Sequence, residues 1–348
     1  MARKYDVTAI GELLVDFTDS GLSDRGNMLL EANPGGAPCN VLAMLKNLGF
    51  KTAFIGKVGD DMFGRMLKSN AMEAGIDVSG LIVDPEYNTT LAFVVKNPDG
   101  DRDFAFYRKE GADLMLRASE IREDIIRESK VLHFGTLSMS GDEAFEATKK
   151  AVETAREAGC LLSFDPNYRA PLWESEEAAK EKIEWGLKNC DVLKISDNEI
   201  ELMTGLTDYE AGATILKNKY DISIVFATLG AEGSIALSGD TAVRIPGFIN
   251  KRTVETTGAG DTFCGCALGY ILRMAGVADA VASGGGGMVG YTSEWDKKSA
   301  LKEMDEFHLS DLLTYSNAAA SIITTKKGAM MVMPTREEIT HFIVNHLE

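Results

Sequence analysis

Residues 254–263 read VETTGAGDTF, and the apolar run CGCALGYILRM follows at once with helical spacing. The small residues Gly258, Ala259 and Gly260 let a backbone approach an anion closely, and unpaired amides at a helix start point toward negative charge. Asp261 puts a carboxylate where an anion would bind, which makes sense if that carboxylate takes a proton. An ordinary capped helix start uses the same residue types. A second small-residue stretch, NPGGAPCN at 33–40, sets Gly35 and Gly36 ahead of Asn40 and leaves room for a ligand against the backbone. In this reading Asn40 opens the helix VLAMLKNLG. Neither stretch fits a known nucleotide loop. Phe263 stands where a dinucleotide fingerprint needs its third glycine, and no GxxxxGK followed by Ser or Thr occurs.

The elements that must position these residues alternate. TAFIGKV, KVLHFGTL, LLSFDPN, DVLKIS and ISIVFATLG are short β-rich runs, and amphipathic stretches such as GDEAFEATKKAVETAREAG separate most of them. That rhythm predicts a doubly wound α/β domain, a mostly parallel sheet with helices on both faces. The N-terminal MARKYDVTAIGELLVDF reads as a first strand ending near Asp16, because acidic residues interrupt it too often for a secretory or membrane segment. From Leu81 to Tyr107 the helical signal disappears, and a PDG turn lies between alternating runs. This excursion predicts a small antiparallel β lid. GGGG at 284–287 reads as a flexible connection.

Composition narrows the function classes. With 348 residues, 45% of them hydrophobic, the chain can bury a large core. A net charge of -17 argues against nucleic acid and anionic membrane as partners. The five cysteines, at 39, 160, 190, 264 and 266, have no CxxC spacing, and His133, His308, His341 and His346 form no HxxH pair. Neither a disulfide framework nor a zinc site is indicated, and a reducing cytoplasm is the expected location.

Eight motifs carry a family resemblance: GELLVDF (11–17), PGGAPCN (34–40), GKVGDDMFG (56–64), FAFYR (104–108), DPNYRAPLW (165–173), TLGAEG (228–233), TTGAGDTF (256–263) and SNAAAS (316–321). Over essentially its whole length the chain resembles the ribokinase-like carbohydrate kinases of the PfkB family, most closely the fructokinase branch. The resemblance implies one ribokinase-like domain over 1–348, with a β lid supplied mainly by about 12–33 and 81–108. It implies Asp261 as the base that deprotonates a sugar hydroxyl, with Gly258, Ala259 and Gly260 as the anion hole for the transferring phosphoryl group. It further implies Asp16, Gly35, Gly36 and Asn40 on the sugar, with Arg108 and Arg169 facing sugar and phosphate. Thr228, Gly230 and Gly233 would hold nucleotide phosphate and ribose, and Asn317 would lie beside the adenine. ATP, Mg2+ and a homodimer are implied with them.

Two metal positions depart from the family pattern. The metal-associated NxxE reads SDNE at 196–199, with Ser196 in place of Asn and Glu199 retained, so a water-mediated magnesium role falls to Glu199. Glu255 stands where an Asp is usual beside a monovalent cation such as K+, and its longer side chain would move the ligand. The stretch from Ser283 to Asp311 is longer than the family leads one to expect. Fructose is the expected substrate, because Pro38 stands where acid-sugar kinases more often carry Glu. Two alternatives stay open: a kinase of another sugar, such as 2-keto-3-deoxygluconate or aminoimidazole riboside, and a non-catalytic sugar or nucleotide sensor on the same fold.

Overall fold

Two sheets share the strands, and the chain moves between them early. The computed structural model describes residues 3–96, 102–282 and 297–347. β1 (Tyr5–Ile10) lies inside the large sheet, whereas β2 (Leu14–Leu22) and β3 (Met28–Gly35) pair antiparallel in the small one. The expected single first strand is therefore two, and Asp16 belongs to the second. The residues between these two strands, Gly11, Glu12 and Leu13, are as buried as the strand ends that flank them. β1 is covered on both faces, while β2 becomes progressively exposed beyond Val15. α1 (Ala37–Asn47) follows directly, with Gly36 as its N-cap at φ 118° and Pro38 in its first turn. Asn40 thus sits inside this helix, not at its opening, because Pro38 starts the helix earlier than the apolar run suggests.

The chain then returns to the large sheet through β4 (Thr52–Gly59), α2 (Met62–Glu73) and β5 (Asp77–Asp84). β6 (Leu91–Lys96) and β7 (Arg102–Tyr107) form a second antiparallel hairpin in the small sheet. β6 joins the first hairpin by pairing parallel with β2. The expected lid boundary at Leu81 moves accordingly. Leu81 to Asp84 continue β5 beside β4, because Gly80 and Leu81 are buried against the large sheet. The PDG turn and the GGGG connection lie outside the described residues.

Next come α3 (Glu123–Arg127), β8 (Ser129–Gly135), α4 (Asp142–Glu157), β9 (Leu161–Asp165), α5 (Glu176–Leu187) and β10 (Val192–Ser196). After α6 (Asp197–Thr204) and α7 (Tyr209–Lys219), β11 (Ile224–Thr228) is the last parallel strand, and β12 (Ser234–Ser238) with β13 (Thr241–Ile245) close the edge as an antiparallel hairpin. The nine strands run β13-β12-β11-β10-β9-β8-β1-β4-β5. α8 (Ala259–Ala282), α9 (Lys297–Lys302), α10 (Glu306–Ile323) and α11 (Arg336–Leu347) complete the chain. α1, α8 and α10 pack over one face of the sheet, while α4, α5 and α7 cover the other. The carboxyl ends of β9, β10 and β11 open along one edge, the usual location for a ligand on such a sheet.

Where the small sheet rejoins the large domain, Arg108 is buried and bound to Asp113 through Nε (2.9 Å) and Nη2 (2.5 Å). Its Nη1 donates to Ser140 Oγ, and Thr90 donates to the other Asp113 oxygen. Arg108→Met would strand the Asp113 charge and should cost about 3–5 kcal/mol in urea unfolding, with Arg108→Met/Asp113→Leu recovering most of it. A single variant within about 1 kcal/mol of the parent would contradict this account of the junction.

Candidate active site

A cleft of about 790 Å3 opens between the two sheets. Its floor is the start of α8 and the ends of β9, β10 and β11, and its roof includes Val94 and Phe106 of the small sheet. Asp16, Gly36, Asn40, Arg169, Glu199, Thr228, Gly230, Gly233, Asn317 and the whole 258–261 turn line it together. Three sequence-derived candidates do not line it. Arg108 is spent on Asp113, Gly35 lies behind Asp16, and Glu255 is buried beneath the turn with its Oε1 accepting the Gly328 amide at 2.7 Å.

Asp261 occupies the first turn of α8, where intrahelical acceptors for the amides are lacking. Gly258 adopts φ 76°, and a Cβ there would come within 2.7 Å of the Ala329 side chain. Ala259 donates to Thr256 O at a long 3.3 Å, whereas among the described residues the Gly258 and Gly260 amides have no protein acceptor. The Asp261 carboxylate is buried and accepts from Asn40 Nδ2 at 2.8 Å. Burial raises its pKa, while the Asn40 hydrogen bond and the charges of Lys194 and Arg169 hold it back. Asn40 Oδ1 is buried with no protein donor among the described residues.

Asp16 sits across from Asn33 in the β2–β3 ladder, and a Cβ on Gly35 would fall 2.0 Å from its Oδ2. Gly35 thus makes room for the carboxylate rather than for a ligand. Burial pushes Asp16 up to about 7, with the Arg169 charge acting against this and Asp261 and Glu255 reinforcing it. Arg169 holds its position by donating from Nη1 to Tyr168 O at 2.9 Å.

At the other end Asn317 ties α10 to the sheet edge. Its Oδ1 accepts from Ser234 Oγ at 2.8 Å, and its Nδ2 donates to Ile245 O and Pro246 O. Both ends of the amide are used, so Asn317 shapes the wall beside Gly233. Glu199 closes a capping box with Ser196 and also accepts from the Tyr168 amide at 2.7 Å. Each Glu199 oxygen keeps one lone pair, which suits the water shell of a hydrated cation better than direct ligation.

The sequence reading missed Glu12, Asn167 and Lys194, all of which line the cleft. Glu12 lies inside GELLVDF, and its Oε1 accepts the Ala37 amide at 2.9 Å, fixing the start of α1. Burial pushes it up to about 7. Asn167 of the DPN loop adopts φ 46°, a conformation that Asn tolerates better than most residues. Lys194, in the strand run DVLKIS, is the one whose signal was available: a lysine inside an apolar parallel strand needs a reason.

A family model described as pfkB family carbohydrate kinase matches residues 5–336. Fructokinase-2 of Solanum lycopersicum is 37% identical over 334 residues, 95% of this chain and 94% of the relative. Among solved structures, a fructokinase from Xylella fastidiosa with bound ATP superposes with a TM-score of 0.84 at 26% identity, covering 99% of each chain. A double mutant of the fructokinase from Vibrio cholerae O395, with fructose, ADP and potassium ion bound, gives 0.79 at 26% identity, also over 99% of each chain.

The raised pKa of Asp16 has a stability consequence with a definite sign. In the unfolded chain Asp16 ionises near 3.8, whereas in the folded protein it keeps its proton up to about 7. The folded state therefore loses stability as pH rises between those values, and above them the loss persists in full without further change. Asp16→Asn should match the parent near pH 4 and exceed it in urea unfolding at about pH 7.5, by on the order of 1–3 kcal/mol. A variant no more stable than the parent at the higher pH would remove the case for a strained, half-buried carboxylate.

Proposed function

The chain belongs to the pfkB family of carbohydrate kinases, and from that we propose that it phosphorylates fructose at the 6-hydroxyl, with ATP as donor. One juxtaposition carries the reading: a buried, Asn40-bound carboxylate, Asp261, in the same cleft as a helix start with free amides. Asp261 takes the proton of the sugar hydroxyl as its oxygen attacks the γ-phosphorus. The amides at Gly258 and Gly260 receive the charge on the transferring phosphoryl group, the kind of preorganised donor that is often the largest catalytic contribution. Asp16 and Asn40 Oδ1 accept sugar hydroxyls, and Arg169 balances the two carboxylates.

A neutral polyol suits this end of the cleft. Glu12, Asp16 and Asp261 surround it, and Arg108, which could have met a substrate carboxylate, is committed to Asp113. The acid-sugar reading loses one of its two arginines in this way. Gly230, Gly233 and Thr228 border the nucleotide end, and Mg2+ carried on the phosphates would neutralise their charge, with Glu199 meeting it through water. A monovalent cation such as K+ near Glu255 would act on the shape of the loop that Glu255 ties to Gly328. The small sheet, roughly 14–35 and 91–107, serves as a lid that excludes water during transfer. Its outer face exposes Leu22, Met28 and Tyr107, at 70%, 63% and 71%, and a second copy of the chain would cover them in a homodimer.

ATP turnover over a panel of sugars tests the reading. The efficiency kcat/KM for fructose should exceed that for 2-keto-3-deoxygluconate by at least roughly a hundredfold, on the order of 3 kcal/mol. A better rate with the acid sugar would leave a kinase but not a fructokinase. Asp261→Asn should keep nucleotide binding while turnover falls by roughly 10²–10⁴. Near-parent turnover in that variant would reassign the base.

A further inference from the structure

We propose that Lys194 is a catalytic residue whose ammonium group meets the transferring phosphoryl group from beneath the Gly258–Asp261 turn. The proposal rests on the kinase reading and adds to it a charge that no loop motif announces. Lys194 is only 6% exposed, yet it lines the cleft. Its Nζ would lie 3.1 Å from a Cβ built on Gly260, so the ammonium is in contact with the second glycine of the turn and any larger residue there would displace it.

Strand geometry explains the placement. Val192, Lys194 and Ser196 alternate onto the face of β10 that α8 covers, and Asp165 at the end of β9 projects from the same face. Lys194 Nζ lies 3.1 Å from both carboxylate oxygens of Asp165. An ammonium has three donors, and a carboxylate on one side leaves donor capacity toward the cleft. Burial works against its charge, but Asp165, Glu199 and Asp261 outweigh that and raise its pKa, so Lys194 stays a cation at any working pH.

A purely structural role accounts poorly for this arrangement. A buried ion pair is often no more stabilising than apolar residues of the same volume, and β10 is otherwise apolar where it is buried. The cleft, in contrast, needs positive charge. Asp16, Glu199 and Asp261 line it, Asp165 lies close enough to act on Glu199 and Asp261, and the cations facing Asp261 are Arg169 and Lys194. An incoming polyphosphate therefore meets carboxylates unless a cation lies under the turn.

The sugar oxygen forms a bond to the γ-phosphorus, and the bond from that phosphorus to the β,γ-bridging oxygen breaks. The bridging oxygen leaves with the electron pair on ADP, and the sugar proton passes to Asp261. Lys194 keeps all its protons and attracts the charge that spreads over the phosphoryl oxygens.

The test must separate catalysis from the ion pair, because Lys194→Met alone strands Asp165. The informative comparison is Asp165→Asn, in which Lys194 keeps only the nearby charges of Glu199 and Asp261, against Asp165→Asn/Lys194→Met, in which the whole pair is gone. With both folded by circular dichroism, the double variant should show a kcat about a hundredfold lower and a sugar KM within about threefold. A kcat within about tenfold of Asp165→Asn would overturn the proposal and leave Lys194 as a structural partner. Calorimetry supplies a readout independent of turnover. The double variant should lose at least about tenfold more affinity for a non-hydrolysable ATP analogue than for ADP, and equal losses would count against contact with the γ-phosphate. A parent protein that phosphorylates no sugar would instead defeat the kinase reading itself.

Discussion

The hydrogen bond from Asn40 to Asp261 joins residues 221 positions apart, and the geometry of the cleft depends on it. A carboxylate at the start of α8 is buried, and burial penalises its charge, so its orientation depends on the Asn40 amide and its readiness to ionise on that amide together with Lys194 and Arg169. That amide is fixed in turn. Asn40 rides on α1, whose first turn is held by Glu12 through the Ala37 amide. α1 also packs closely on α8, where a Cβ on Gly265 would fall 2.7 Å from the Met44 Cβ. The crossing from β1 to β2, the start of α1 and the start of α8 thus form one connected constraint.

The same cleft concentrates negative charge that the fold would be more stable without. Glu12 and Asp16 are pushed to about 7, and Asp165 to about 6, chiefly by burial. Groups held this far from their ordinary ionisation are strained, and strain of this kind gathers at functional sites. Arg169 offsets part of it at Asp16 and Asp261, and Lys194 at Asp165 and Asp261. The resulting balance suits a neutral sugar on one side and a polyanion on the other, which is what transfer of a phosphoryl group to a hydroxyl requires.

The large sheet contributes mainly position. Because β8 through β11 run parallel, their carboxyl ends deliver Asp165, Lys194, Ser196 and Thr228 to one edge without any long loop. The small sheet is built from segments that leave the large one and return, which is why β2 and β6 pair parallel although each belongs to an antiparallel hairpin. Arg108 and Asp113 lock the point of return, so the roof residues Val94 and Phe106 extend from a fixed base.

Much of this was legible in the chain itself. The alternation of β-rich and amphipathic runs determined a doubly wound α/β domain, since each period reflects which faces are buried, and the eight ordered motifs determined the family and most of the cleft. GAGD pointed to an anion site, because small residues at a helix start let amides approach a charge, although an ordinary capped helix start uses the same residue types. Tertiary structure decided what one-dimensional patterns cannot express. Asp16 moved to a second strand because the chain leaves the large sheet after Ile10 and pairs again from Leu14 with β3 and β6. Arg108 left the site because Asp113, five residues on, folds back to neutralise it in a buried junction. Lys194 entered the site because a strand's twofold alternation aims it at a glycine 66 positions later in the chain, and that distance closes only when β10 and α8 pack. Charges pair with whatever the fold brings near, and proximity across the chain is the property that a sequence read from end to end does not contain.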